Sequence, residues 1–307
     1  MIRYIGRRLL MALPVLLGTS FLIFAMVYAL PGDPIRALAG DQPLPPEVIA
    51  QLRAEHNLDD PLLLQYVKYL GQLLQGNLGT DFAGNPVAET IALRLPITVR
   101  LAIVAIIFEI IFGITAGVLC ALYKNSWFDN LVLVSTTMVV SVPVFVLAFL
   151  AQWLFGFQLG WFPVAGIANG WFSLILPGLV LAALSMAYVA RLTRTSMVET
   201  LGADHVRTAR SKGISELRVV TRHGLRNALI PVVTFIGADL GAMMGGAIVT
   251  ESVFNIPGIG RAVFDAVRNQ EGPVVVGIVT MMVFFFIFFN LVVDVLYGVL
   301  DPRIRYE

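Results

Sequence analysis

Charge is scarce in this sequence: of 307 residues only 13% are Asp, Glu, Lys or Arg, against 58% hydrophobic. A water-soluble globular chain carries roughly 25% charged residues. The polar atoms needed to cover a hydrated particle of this size are missing, and a lipid-facing exterior removes the need for them. Cysteine is almost absent. Cys120 stands alone inside an apolar run, which excludes an internal disulfide, and no Cys or His cluster has metal-ligand spacing. The three histidines, His56, His205 and His223, sit beside polar residues. None lies in an apolar run, so an intramembrane nucleophile would have no base beside it. Lysine is the third scarcity. Lys68, Lys124 and Lys212 are followed by Tyr69, Asn125 and Gly213, so no G-x-x-x-x-G-K-[ST] loop exists to hold a nucleotide's phosphates.

What is abundant is apolar sequence in long runs. A spanning helix needs about 20 mostly apolar residues, and six runs qualify: Leu9–Leu30, Ile97–Leu122, Leu131–Phe155, Phe172–Ala190, Ala228–Val249 and Pro273–Leu300. The first is too long for the roughly 7–15 apolar residues of a signal peptide, and Pro31-Gly32-Asp33-Pro34 follows it, so it reads as a retained helix. The expectation is an all-α polytopic membrane protein with six transmembrane helices.

Basic residues set the orientation, because Lys and Arg gather on the cytoplasmic side of helix ends. Arg3, Arg7, Arg8, Lys124, Arg191, Arg194, Arg207, Arg210, Lys212, Arg218, Arg222, Arg226, Arg303 and Arg305 all fall on one side if six helices alternate. Both termini are then cytoplasmic. The expected division is a first helix over 1–30, an external subdomain over 31–96, a five-helix core over 97–301 and a cytoplasmic tail over 302–307. Within the core, 191–227 forms a cytoplasmic loop. The external segment has eight acidic and four basic residues and amphipathic stretches at Pro46–Glu55 and Pro61–Gln75; a plain connector capping the bundle would look similar.

The loop beginning at Asp204 reads DHVRTARSKGISELRVVTRHGLRNALIP. Asp204 is placed to cap a short helix, Gly213 to end it in a left-handed conformation, and Ser215 to cap a second helix. Orientation alone would account for the charge, but not for the apolar residues alternating with it or for the placed glycine. A compact cytoplasmic knob is expected.

Within the membrane, Glu109, Asp239 and Asp294 are costly; packing carboxyls and a proton relay are the two readings. Gly237, Gly241 and Gly245 recur at helical spacing and suit close helix packing, or line a solute path with Met243 and Met244 supplying adaptable apolar contacts. The turn after the fifth run, with Asn255, Pro257, Gly258, Gly260 and Arg261, suits a gate or docking segment at the outer surface.

In the loop, Arg207-Thr208-Ala209, then Gly213, then His223-Gly224-Leu225-Arg226 resemble the EAA coupling loop of ABC-importer permeases in the oligopeptide/dipeptide/nickel branch. The resemblance covers nearly the whole chain. It includes Leu58-Asp59-Asp60-Pro61-Leu62, Ser141-Val142-Pro143-Val144-Phe145, Ala190-Arg191-Leu192-Thr193-Arg194, Glu251-Ser252-Val253-Phe254-Asn255-Ile256-Pro257-Gly258-Ile259-Gly260 and Asp301-Pro302-Arg303-Ile304-Arg305. Glu271-Gly272-Pro273 replaces the family's usual Asp-Tyr-Pro.

The resemblance implies a type I importer permease fold in a prokaryotic cytoplasmic membrane. It implies a peptide-class solute, a second and distinct permease, two cytoplasmic ATPase subunits and an extracytoplasmic solute-binding protein. Nucleic acid is not among the expected partners. No cofactor is expected on this chain, and ATP with Mg would sit on the ATPase subunits. Asp204, Arg207, Thr208, Ala209, Lys212, Gly213 and Glu216 become the expected coupling residues, and Glu251 joins Asp239, Met243 and Met244 as expected path residues. A secondary transporter or channel, working without an ATPase, is the competing reading.

Overall fold

The computed structural model describes residues 2–28, 45–55, 59–81 and 83–300. The motif Pro31–Pro34, Leu58, the tail 302–307 and the side chains of Met244, Gly245 and Asp294 lie outside the described residues. Within the described residues the chain is helical, with one isolated bridge between Thr80 and Pro86. In lipid this is the economical choice, because a helix satisfies its own backbone polar groups.

In chain order the helices are α1 (Ile2–Tyr28), α2 (Pro46–Glu55), α3 (Leu62–Leu74) and α4. The last of these runs over Val87–Leu122 through a π-helical segment at Glu109–Ile114. There follow α5 (Trp127–Ser141) and α6 (Val144–Gln158), then α7 (Ile175–Gly202), α8 (Asp204–Ser211), α9 (Arg226–Val253), α10 (Ile259–Arg268) and α11 (Gly272–Leu300). A short helix Glu216–Arg218 and a π-helical segment Val219–Leu225 lead directly into α9.

Among the described residues five helical segments are long and apolar enough to cross a membrane, and α5 with α6, bent by 107° at their junction, makes a sixth when the pair is counted as one span. The expected single run Leu131–Phe155 is therefore broken, and Pro143 is the reason. A proline disfavours helical geometry in the residue before it, and Val142 is extended at φ −100° and ψ 130°. Each half has 15 residues, about 22 Å of helix, short of the roughly 30 Å hydrocarbon core.

Other boundaries also move. The expected external subdomain ends inside α4, which starts at Val87 because Pro86 supplies an extended N-cap residue; Val87 and Ile91 are already core. α7 continues past the expected Ala190 to Gly202, so Arg191 and Arg194 are helical residues rather than loop. The turn after α9 leads into α10, an amphipathic helix the apolar-run count had no means of finding.

The centre of the bundle is α7, packed against α4, α5 and α9; α9 also packs on α11, and α1 lies along α11. α4 and α7 approach closely at Gly117. A Cβ there would meet the Ala190 carbonyl oxygen at 2.5 Å and Thr193 Cβ at 2.5 Å. Gly113, one turn earlier, faces Val189 at 2.8 Å, so the small-residue seam runs between α4 and α7. On α9 the expected stripe contributes at Gly241, which faces Phe286 and Asn290 of α11.

Gly117→Ala is expected to destabilise the bundle by about 1–3 kcal/mol through overpacking, while Gly71→Ala, inside a helix with nothing within 4 Å, is expected to raise the thermal unfolding midpoint of the purified protein slightly, by the roughly 0.4–1 kcal/mol of the helix preference for alanine.

Candidate functional site

At the cytoplasmic end, α7 stops at Gly202 and Ala203 turns the chain in an extended conformation, φ −71° and ψ 152°. α8 then presents Val206 and Ala209 inward onto Val219, with Leu201 and Ile214 alongside. It closes in a Schellman motif: Gly213 at φ +74° donates its N–H to the Arg210 carbonyl at 2.9 Å, and Ile214 donates to the Ala209 carbonyl at 3.4 Å. Ile214 packs beside Ala209, the apolar contact that accompanies this motif. Asp204 is the first helical residue, and neither it nor Ser215 makes a side-chain cap.

Arg210 clasps Glu216 across the turn through two hydrogen bonds, 2.5 and 3.1 Å. The Glu216 carboxylate raises the Arg210 guanidinium above its ordinary pKa. Both side chains are exposed, so this pair shapes the turn more than it stabilises the fold.

The knob is mounted rigidly. Ala121, Met197, Val220 and Ala228 form one apolar cluster under it, joining the ends of α4, α7 and α9. Beside this cluster Arg194 of α7 holds Asp129 of α5 in a bidentate pair, 2.6 and 2.7 Å. Asp129 also accepts the Asn125 N–H at 2.9 Å, while Ser126 Oγ accepts the Asp129 N–H at 3.2 Å. Asp129 is 1% exposed, so its charge is tolerated because every acceptor has a donor.

Of the expected coupling residues, Asp204, Arg207, Thr208, Lys212, Gly213 and Glu216 are exposed together on one knob, whereas Ala209 is buried. Ala209 is therefore a core residue of the knob rather than a contact residue, because the inward face of α8 needs small apolar side chains against Val219.

At the outer end lies a second arrangement. α9 ends in another Schellman motif, with Asn255 at φ +54° and the Ile256 N–H donating to the Glu251 carbonyl at 2.8 Å. The chain then enters α10, whose first N–H groups have no helical acceptor. Glu251 of α9 and Thr98 of α4 supply them. Thr98 Oγ1 accepts the Ile259 N–H at 2.8 Å and donates to Glu251 Oε1 at 2.6 Å. Glu251 Oε2 accepts the Arg261 N–H at 2.9 Å, and the Gly260 N–H also reaches this carboxyl. A carboxyl at a helix N-terminus also complements the helix dipole.

The approach is close enough that a Cβ on Gly258 would meet the Glu251 carboxyl at 2.2 Å, and one on Gly260 would meet the Ile248 backbone at 2.6 Å. Outside this node Asp265 pairs with Arg94 at 3.8 Å and Arg261 at 3.6 Å.

Glu251 is 0% exposed, so it clamps α10 to α4 and α9 and lines no open surface of this chain. Met243 is likewise enclosed, packed with Ala105 and Ala182. Asp239 is half-buried on α9. Glu109 is wholly buried with neither carboxyl oxygen partnered, and its charge would interact with that of Asp239. The expected gate residues Asn255, Pro257, Gly258, Gly260 and Arg261 are brought together around the Glu251 clamp.

Three residues escaped sequence reasoning. Thr98 has no signal, being one hydroxyl in an apolar run. Arg194 reads in the sequence as one more cytoplasmic charge. Asp129 was legible, since Ser126-Trp127-Phe128-Asp129 has the spacing of a helix-start capping motif.

Glu251→Gln offers one acceptor oxygen where two stand, so either the Thr98 hydroxyl or an α10 N–H is expected to lose its acceptor, a loss of about 1–3 kcal/mol. Hydrogen exchange at Ile259–Arg261 should accelerate by tenfold or more, with exchange in α7 unchanged. Gly258→Ala should act in the same direction by displacing the carboxyl.

Two family models match the chain. Residues 113–306 match the binding-protein-dependent transport system inner membrane component, and residues 1–102 match the N-terminal region of such membrane components. The glutathione transport system permease protein GsiC of Salmonella typhimurium strain LT2 is 43% identical over 308 residues, covering 100% of both chains. The GsiC protein of Escherichia coli K12 is 42% identical over 308 residues with the same coverage. The dipeptide transport system permease protein DppB of Alkalihalophilus pseudofirmus is 39% identical over 334 residues, again covering 100% of both. The reading as a secondary transporter or channel falls with these matches. With its apolar spans, basic cytoplasmic knob and clamped outer turn, this chain belongs to the inner membrane permeases of binding-protein-dependent ABC importers, as a multi-pass permease subunit of the bacterial inner membrane.

Proposed function

We propose that this permease forms half of the path for a peptide-class solute, beside a second and distinct permease chain. The names of its relatives, glutathione and dipeptide permeases, support small peptides as the solute class. Two cytoplasmic ATPase subunits bind ATP and Mg and supply the power, one of them receiving the knob 204–216. A solute-binding protein docks on the outer face, at the turn 255–261.

The observation that carries the coupling assignment is the knob's construction. Asp204, Arg207, Thr208, Lys212 and Glu216 are exposed on a two-helix element whose apolar underside is fixed to the ends of α4, α7 and α9. A push on that surface is carried into three membrane helices, because the clusters beneath it are close-packed. An orientation signal alone would need none of this packing. Asp239 is the path residue retained, since it alone of the described path candidates is incompletely buried.

Gly213→Pro tests the assignment. Proline fixes φ near −65° and has no N–H, whereas Gly213 needs φ +74° and donates to Arg210. The wild-type chain solubilised from its native membrane is expected to co-purify with an ATPase subunit, and the Gly213→Pro chain to lose it by at least tenfold while keeping its second permease. Retention of the ATPase by the variant would remove the knob from the coupling interface.

A further inference from the structure

The external segment contains a helix that the structure places at membrane depth. We infer that α3 (Leu62–Leu74) lies in the outer leaflet of the bilayer, with Leu63, Val67 and Leu74 against lipid acyl chains rather than in water or against another protein.

Depth is fixed by two tyrosines. Tyr66 of α3 donates its hydroxyl to the Leu17 carbonyl at 2.9 Å and shares a hydrogen bond with Ser20 at 2.9 Å. α1 crosses the membrane over Gly6–Tyr28. Twenty residues separate Arg8 from Tyr28, about 30 Å of helix, the thickness of the hydrocarbon core. Ser20 is then roughly 12 Å below the outer end of α1, and a tyrosine side chain reaches only about half that distance.

Tyr69 adds a contact to another helix. Its ring packs with Phe24 of α1 and in the cluster of Val276, four residues and roughly 6 Å inside the outer end of α11 at Gly272. Phe21, Phe24 and Val276 complete the contact, so α3 is held at this depth by α1 and α11 together.

The residues of α3 sort accordingly. Tyr66, Tyr69 and Leu62 face α1 and α11. Leu63, Val67 and Leu74 fall within about 40° of one another around the helix. Leu63 is 67%, Val67 61% and Leu74 90% exposed. On the remaining side Gln65, Lys68 and Gln72 line a small cleft with Tyr28, and Lys68 pairs with Asp60 at 2.5 Å. An apolar stripe, a separate polar edge and a mount at leaflet depth are the attributes of an interfacial helix. As a helix it carries its backbone polar groups internally paired into the low-dielectric layer. Lipid is the occupant favoured because the stripe begins at the depth where α1 and α11 already meet acyl chains. The placement does not depend on the solute or on the ATPase contact.

The test uses the full-length chain in its importer complex, with Cys120→Ala as background, in vesicles of phosphatidylethanolamine and phosphatidylglycerol. Val67→Cys, Leu74→Cys and Gln72→Cys each carry a nitroxide, and collision with oxygen is compared with collision by a water-soluble nickel chelate. Oxygen is expected to dominate at Val67 and Leu74 by several-fold, and the chelate at Gln72. Dominance of the chelate at Val67 and Leu74 would put α3 in water. Exclusion of both reagents there would mean that a protein partner covers the stripe. Either result overturns the assignment, and neither depends on transport activity.

Discussion

The buried carboxyl of Glu251 is the constraint around which the outer half of the molecule is organised. It lies where α9 ends, where α4 passes and where α10 begins, and it accepts hydrogen bonds from both other elements. A helix start buried without such acceptors would carry unpaired N–H groups. The glycines at 258 and 260 follow from this one placement, since a side chain at either would displace the carboxyl or the α9 backbone. The external turn is thus a fixed continuation of the membrane helices, and any movement of α9 moves α10 with it.

The cytoplasmic end uses a different bond for a related purpose. There the bidentate Asp129–Arg194 pair joins α5 to α7, while the apolar cluster around Met197 joins the knob to α4 and α9. α4 and α9 therefore run from a tied inner end to a clamped outer end. In a close-packed interior such helices shift as rigid bodies rather than deform continuously. This is the mechanical property an importer permease needs if events at an ATPase are to change access on the opposite face.

Much of this was legible in the residues. Scarce charge and long apolar runs were enough for the membrane class, and RTARSKG with its glycine was enough for the knob. The failures have physical causes. Leu131–Phe155 reads as one span because a hydropathy run does not register the backbone restriction that Pro143 places on Val142. α10 is amphipathic and follows a Pro-Gly turn, so no apolar run marks it. Ala209 reads as a contact by motif position, yet the underside of α8 needs it for packing. Glu251 reads as a path residue because a carboxyl near a membrane surface has no visible partner in sequence; its partners, Thr98 and the α10 amides, are 153 and about ten positions away.

Sequence by itself determined that this chain lives in a membrane and where its basic knob turns, because hydrophobicity and the left-handed turn at Gly213 are local properties of composition and backbone. Tertiary structure alone decided that Glu251 clamps rather than lines, that Arg194 closes on Asp129 and that the tyrosines of α3 reach down beside α1 and α11. Each of those facts rests on a hydrogen bond or packing contact between residues far apart in the chain, and such partners are chosen by how whole helices pack rather than by any neighbouring residue.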